Sequence, residues 1–495
     1  MTNLSLRGAF RHDVGAGIAW ICTISCGMGS AKHTAMGTHD RAILSVSILL
    51  AVGGCSASST TTSNSTYADG GFKPVMADVP RDDPDSGTAQ SALPGAVTAN
   101  NAFAVDLYSH VLSQQSDAGA TNLLTSPISA SLALTMTYAG AVGSTATGMA
   151  TALHLGSPLG SIFDGQNALS AAIASRAPAA LSAANQNAQE SGQAAPSPSD
   201  YELTVVNSVW GEQTTTWQTP FLNILAQSYG TGVYPQDFIH QFDQARLNIN
   251  AWVSGETADK INNLLPQGSL NSQTRMVLVN AIHIKLPWDQ PFGASATAPS
   301  TFTRADGTIV SASFMNLTLT APYADDGKAQ IVSLPLSGKQ VSVVISLPHP
   351  DVDLATYEAN LATGSAALAQ STSHAYVELS LPKATFTSPT FSLQSALVAM
   401  GMSQAFDPNS ADFSGMAARS LYIFDVLQKA TIAMQETGVE AAAATAVIMG
   451  EKSGSPTTPT PMVVNRPYLI AIVDVWSGAV LFLGHIADPT DVGGP

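Results

Sequence analysis

Glu436-Thr437-Gly438-Val439-Glu440-Ala441-Ala442-Ala443-Ala444-Thr445-Ala446 places a glycine ahead of a strand's length of very small residues. A mixed run, Val447 to Pro461, follows and ends in Ser, Thr and Pro. Four consecutive alanines favour helix, since Ala is the best helix former. Val439, Thr445, Val447 and Ile448 are β-branched and favour strand instead. Strand alternation puts Val439, Ala441, Ala443, Thr445 and Val447 on one face and Glu440, Ala442, Ala444 and Ala446 on the other. The first face carries no charge and is fit for burial, whereas Glu440 falls on the outward face. The segment therefore reads as one that can be exposed and mobile, yet can enter a sheet without clashing.

Outward from this stretch, strands and helices alternate irregularly. Phe424 to Met434 reads as a strand leading into the glycine. Asn465-Arg466-Pro467-Tyr468-Leu469-Ile470 and Val480 to Pro489 close the chain. Leu203–Trp210, Met276–Ile284, Gln340–Pro348 and Val377–Lys383 read as strands. Asn101–Tyr108, Phe221–Tyr229 and Leu393–Met402 carry helical spacing. Ser126-Pro127 marks a helix start, with Pro inside the first turn. Residues 186–199 are rich in Ala, Gln, Ser, Asn and Pro and read as a surface loop.

The 495 residues are 45% hydrophobic and only 11% charged, with a net charge of −16. That suits one large domain plus a leader. The acidic balance argues against nucleic acid, which needs clustered Lys and Arg. Its plainer consequence is solubility. Cys22, Cys26 and Cys55 all lie early, so the body after Cys55 has no disulfide, Cys-based metal site or thiol nucleophile.

Residues 42–52 form a short apolar run behind Arg41 and end in Gly53-Gly54-Cys55. This is signal-peptide anatomy. Small residues immediately before a Cys resemble a bacterial lipobox, in which Cys55 would become the acylated N-terminus. An ordinary secretory signal with an incidental Cys is the alternative. Residues 1–54 are thus expected to be leader, with Met36 a candidate true start, or else a long leader with a second apolar patch at 18–26. Residues 55–98 read as a lipidated Cys and a flexible Ser/Thr/Pro-rich tether. The protein is expected to be exported, either as a cell-envelope lipoprotein bound to membrane by its lipid alone or into the extracellular space.

Together, the 436–446 stretch, its leading strand and the closing segments resemble the serpins, the serine protease inhibitors, over residues 99–490. Ser126-Pro127-Ile128-Ser129 resembles their shutter motif, and Asn280-Ala281-Ile282-His283-Ile284-Lys285-Leu286-Pro287-Trp288 their most recognisable strand. The resemblance implies an α+β fold, with several helices packed on large, mostly antiparallel sheets and an exposed reactive-centre loop at 437–464. It leaves 491–495 as a tail. It implies that Ser126, Ser129, Asn280, Gln428 and Trp288 form the shutter and breach, and that Glu436, Gly438, Val439, Glu440, Ala441, Ala442, Ala443, Ala444 and Thr445 form the hinge. Three positions depart from the family. Gln428 stands for the usual His, Leu286 for a Gly before the Trp, and Val439 for a Thr or Ser. Gln both donates and accepts, so the shutter network can persist, and Val439 brings no charge to be buried.

No motif makes a case for an enzyme. There is no Gly-x-Ser-x-Gly elbow, no His-Glu-x-x-His pair and no phosphate loop. No metal or cofactor is called for, and His154, His283 and His374 read as structural or exposed. The resemblance implies suicide inhibition, in which a serine protease attacks the loop, forms a covalent acyl complex and is dragged as the loop inserts. Inhibitory members cut at a fixed spacing from the hinge glycine, and counting from Gly438 gives Lys452-Ser453, with Glu451 or Ser453 as the neighbouring alternatives. Lys452 suits a trypsin-like protease. A monomer is expected. A non-inhibitory binding, storage or chaperone-like module is the second reading. A surface lipoprotein whose loop merely occupies or feeds a protease is the third.

Overall fold

The computed structural model describes residues 71–115, 120–156, 158–361, 373–440 and 458–493. In chain order come α1 (Gly87–Ser113), β1 (Leu123–Thr125), α2 (Pro127–Tyr138), α3 (Gly143–Ala152), α4 (Leu159–Ala174) and α5 (Arg176–Ser191). β2 (Glu202–Glu212), α6 (Thr219–Ile224, continued by a π turn, Leu225–Tyr229), β3 (Val233–Gln236), α7 (Phe238–Glu256) and β4 (Met276–Pro287) follow. Then come β5 (Ala298–Thr303), β6 (Ile309–Asp325), β7 (Ala329–Pro335), β8 (Val341–Pro348), α8 (Leu354–Glu358), β9 (His374–Pro382), β10 (Ala384–Thr387) and β11 (Phe391–Ser392). A short helical run at 394–406 leads to β12 (Val426–Gln435), β13 (Gly438–Val439), β14 (Thr460–Val463), β15 (Tyr468–Asp474) and β16 (Val480–Ile486).

These strands form two sheets. One runs β1-β16-β15-β8-β7-β6-β9-β14, with β5 on β6; the other runs β10-β12-β13-β4-β2-β3, with β11 on β12. Most pairings are antiparallel, but β4 with β12, β2 with β3 and β9 with β14 are parallel. The fold is α+β.

β4 is buried along nearly its whole length because both its faces are covered. Its inward residues Ile282, Ile284 and Leu286 join a core shared with the other sheet. Its outward residues Val277, Val279 and Ala281 pack under Phe238, Ile249, Trp252 and Val253 of α7. α2 is buried all round from Pro127 to Thr137, and its Thr135 and Thr137 hydroxyls donate back to Ser131 O and Ala133 O so that no polar group is stranded there. It packs on β2, β4 and β16, and its N-cap Ser126 hydrogen-bonds Gln428 of β12, which places its N-terminus at the centre of the sheet.

The folded body starts before residue 99. The tether expected at 55–98 is corrected over its described part, because 71–98 pack on the domain. Phe72 meets the Trp210 ring edge-on at 5.8 Å, and Val75 bridges Val233. Arg81 Nε donates to Asn167 Oδ1 at 2.9 Å. Ser86 caps α1 by accepting from Ala89 N–H. Ala89, Leu93, Ala96 and Val97 are buried. Small apolar residues at helical spacing resemble a linker in composition yet pack closely. Likewise, the loop expected from residue 186 is α5 as far as Ser191, ended by Gly192 in the left-handed conformation (φ +66°). At the other end, Thr387 N–H donates to Val492 O at 3.0 Å, so the supposed tail is held through Gly493. Among the described residues no helix is long and apolar enough to cross a membrane.

Candidate functional site

The site is the seam between β4 and β12. The two strands pair in parallel from Val426↔Leu278 to Ala430↔Ile282 and then diverge. Beyond Gln435 the chain reverses through Glu436 and Thr437 and returns as β13 into the gap. There Val439 lies opposite Met434 on one side and Leu286 on the other, while Gly438 lies opposite Gln435 and Pro287. Val439 is fully buried. Two of the family departures therefore touch: Leu286 supplies the apolar wall that Val439 needs. Neighbouring sequence could not link them, because the two positions lie 153 apart in the chain.

Trp288 holds the reversal. Its Nε1 donates to Gln435 O at 2.8 Å, and its backbone N–H donates to Thr437 O at 3.0 Å. Phe292 N–H donates to Glu436 O at 2.9 Å, and its ring meets the Trp288 ring edge-on at 5.9 Å. The Glu436 carboxylate lies 2.9 Å from Lys383 Nζ. Burial alone would raise that carboxyl, but the contact with Lys383 and a backbone hydrogen bond more than offset it and hold it below the ordinary carboxylate range.

Beneath the centre of the seam, Asn207, Asn280 and Gln428 line up across β2, β4 and β12. Gln428 is fully buried. Its Oε1 accepts from Ser126 N–H at 3.0 Å, and its Nε2 donates to Ser126 O at 2.9 Å and Asn280 Oδ1 at 3.2 Å. Ser126 Oγ donates to Leu481 O. The Asn207 carboxamide is best satisfied with its nitrogen toward Ser129, donating to Ser129 O and Oγ at 3.0 and 3.1 Å. Asn280 Nδ2 is buried without a partner. Ser126, Ser129, Asn280 and Gln428 thus meet in one network, with Trp288 and Glu436 at the top of the same seam.

Glu440 faces outward, but not into solvent. One carboxylate oxygen lies 3.0 Å from Lys260 Nζ and the other 2.9 Å from His283 Nδ1. His283 is itself buried, with Nε2 3.1 Å from Glu202. Burial would raise the Glu440 carboxyl; His283 and Lys260 more than offset this and lower it. Sequence reading missed Lys260, His283, Lys383, Phe292 and Asn207 as partners of this site. They come from distant strands and loops and carry no local signal. Ala441, Ala442, Ala443, Ala444, Thr445, Lys452, Ser453 and Cys55 lie outside the described residues.

Comparison with known proteins gives one consistent result. Residues 98–489 match the family model described as Serpin (serine protease inhibitor). An uncharacterized serpin-like protein of Methanosarcina acetivorans is 30% identical over 404 residues, covering 79% of this chain and 86% of that protein. The human leukocyte elastase inhibitor is 30% identical over 411 residues, covering 79% of this chain and 99% of that protein. The crystal structure of a thermophilic serpin, tengpin, in its native state superposes with a TM-score of 0.69 at 24% identity, covering 84% of this chain and 99% of that one.

Proposed function

The chain belongs to the serpin family, and from that membership we propose that it is an irreversible suicide-substrate inhibitor of a trypsin-like serine protease. The observation that carries this reading is β13: the hinge already stands as a strand in the seam, with Val439 buried on the inward face. The next inward positions, Ala441, Ala443 and Thr445, bring no charge and little bulk into that track.

The protease serine Oγ attacks the carbonyl carbon of Lys452. The Lys452–Ser453 peptide bond breaks, Ser453 leaves with a protonated amine, and Lys452 stays esterified to the protease. The freed hinge then extends β13 downward between β4 and β12. Each new ladder bond contributes about 0.5–1.5 kcal/mol, and burial of the inward residues adds to that. Insertion carries the acyl-linked protease with it. The native state is on this reading a kinetic trap.

We also propose that the chain is an exported bacterial protein, acts as a monomer and is tethered through an acylated Cys55. The competing reading is a non-inhibitory binding, chaperone-like or protease-substrate module. Mixing the purified chain with trypsin separates the two. The expected result on denaturing electrophoresis and intact-mass analysis is a stable adduct of chain plus protease, with a released peptide that begins at Ser453. Clean cleavage after Lys452 without an adduct overturns trypsin inhibition and favours the substrate-like module.

A further inference from the structure

After α7 the chain crosses the outer face of the seam as a strap, Thr257–Leu265. Ile261, Leu264 and Leu265 of the strap pack with Val279 and Ala281 of β4 and Leu427 of β12. Asn250 fixes its far end, with Nδ2 donating to Leu265 O at 2.9 Å and Oδ1 accepting from Leu265 N–H at 2.8 Å. Lys429 Nζ, on β12, donates to Asn262 O at 3.1 Å. Lys260 projects from the same strap to Glu440. Glu440 therefore joins three elements: the hinge, the strap through Lys260, and β4 through His283.

The backbone here is strained. Among the described residues six non-glycines have positive φ, and four of them lie in the strap and hinge: Ala258 (+47°), Asp259 (+61°), Asn263 (+53°) and Glu440 (+52°). Such conformations cost about 1–3 kcal/mol each and persist only where surrounding contacts impose them. Glu440 N–H already donates to Ala433 O, but carrying β13 past it requires Glu440 to leave the left-handed region for a strand. In the register set by Val439↔Leu286, residue 440 would then face Lys285. Lys285 is already committed, with Nζ 3.0 Å from Asp200 and donating to Ser199 O at 2.6 Å. Glu440 would exchange its contacts with Lys260 and His283 for a contested one.

We propose that Glu440, Lys260 and His283 form a catch that stops the hinge at its present insertion, with Lys260 and His283 as the positioning residues that set how readily the rest of the loop follows. The geometry stands independently, but the consequence for protease inhibition rests on the inhibitory reading above.

The test uses the full chain and the variants Lys260→Met, Lys260→Arg and Glu440→Gln. The readout is the rate at which, on warming, the 441–457 segment becomes resistant to proteinase K, which needs no inhibitory activity. Losing one half-exposed pair should speed this conversion about two- to fivefold in Lys260→Met. Losing both charge-assisted contacts should speed it about tenfold in Glu440→Gln, with Lys260→Arg at the wild-type rate. Unchanged or slower conversion in both Lys260→Met and Glu440→Gln overturns the catch. If no form converts, hydrogen exchange at the Val439 and Glu440 amides decides: faster exchange in Lys260→Met supports it and unchanged exchange overturns it. If wild type forms no adduct with trypsin while the variants still convert faster, the inhibitory reading falls and the catch stands.

Discussion

Gln428→Leu keeps the volume of the side chain at the centre of the sheet and deletes its polar atoms. Three hydrogen bonds vanish, to Ser126 N–H, Ser126 O and Asn280 Oδ1. Ser126 O keeps a partner, because Ala130 N–H also donates to it at 3.3 Å. The Ser126 N–H and the Asn280 carboxamide do not, and Asn280 Nδ2 is already unpartnered. Ser126 and Asn280 are both buried, so water cannot take over. Each orphaned group costs about 1–3 kcal/mol. Because Leu fills the space, the cavity penalty is small. The sum is a loss of about 2–6 kcal/mol from the native state. With a urea slope of about 1–3 kcal/mol per molar, the midpoint for the first loss of near-ultraviolet circular dichroism should fall by roughly 1–2 M. Gln428→His, which retains donors and acceptors, should lie closer to wild type. A Gln428→Leu midpoint indistinguishable from wild type would mean that the row of amides does not hold the sheet closed, and the reasoning would fail.

Ala443→Arg places a charge on the inward face of the inserting strand, where an unpaired charge costs several kcal/mol or more; the variant should be cleaved by trypsin without forming the adduct. Leu286→Ala removes the wall against which Val439 packs, and should cost about 2–5 kcal/mol and raise hydrogen exchange at Gly438 and Val439 above wild type. The Glu436 carboxyl is lowered on folding, so its pairing with Lys383 stabilises the hinge above the unfolded value of about 4.3 and is lost as pH falls through the folded one. Hinge exchange corrected for intrinsic rates should therefore rise on acidification below that point in wild type, and the rise should be weaker in Lys383→Ala.

The strands β2, β4, β8, β9 and β12 were legible because alternation or continuous apolar runs survive in them. Ser126-Pro127 marked the start of α2 correctly. The arm at 71–86 and the first turns of α1 were not legible, because their contacts come from Ala or from single half-buried or exposed residues such as Phe72 and Arg81. Those residues find partners near 167, 210 and 233. Composition reports how much apolar surface a segment carries and not where a complementary surface waits. The same limit hid the roles of Lys260 and His283: period-two reasoning put Glu440 on the outward face, but only the folded chain supplies the strap that covers it. Leu286 and Val439 were each visible as departures, and their direct pairing across the seam was not.

The direction of the strands at the seam has a thermodynamic consequence. β4 and β12 run the same way, and β13 runs against both. Residues 440–442 would enter where β4 and β12 have already diverged; once insertion reaches the Ala430↔Ile282 pair, each further residue unzips part of a parallel ladder and builds two antiparallel ones. Antiparallel ladders are slightly the more stable per residue. The number of ladders thus rises by one wherever the zipper has run, so the driving force grows with the length of chain admitted. A single new strand of the opposite polarity fits; a second copy of the same strand beside it would restore no such alternation. On the inhibitory reading proposed above, the sheet therefore takes one guest strand, and its polarity specifies which end of that guest enters first.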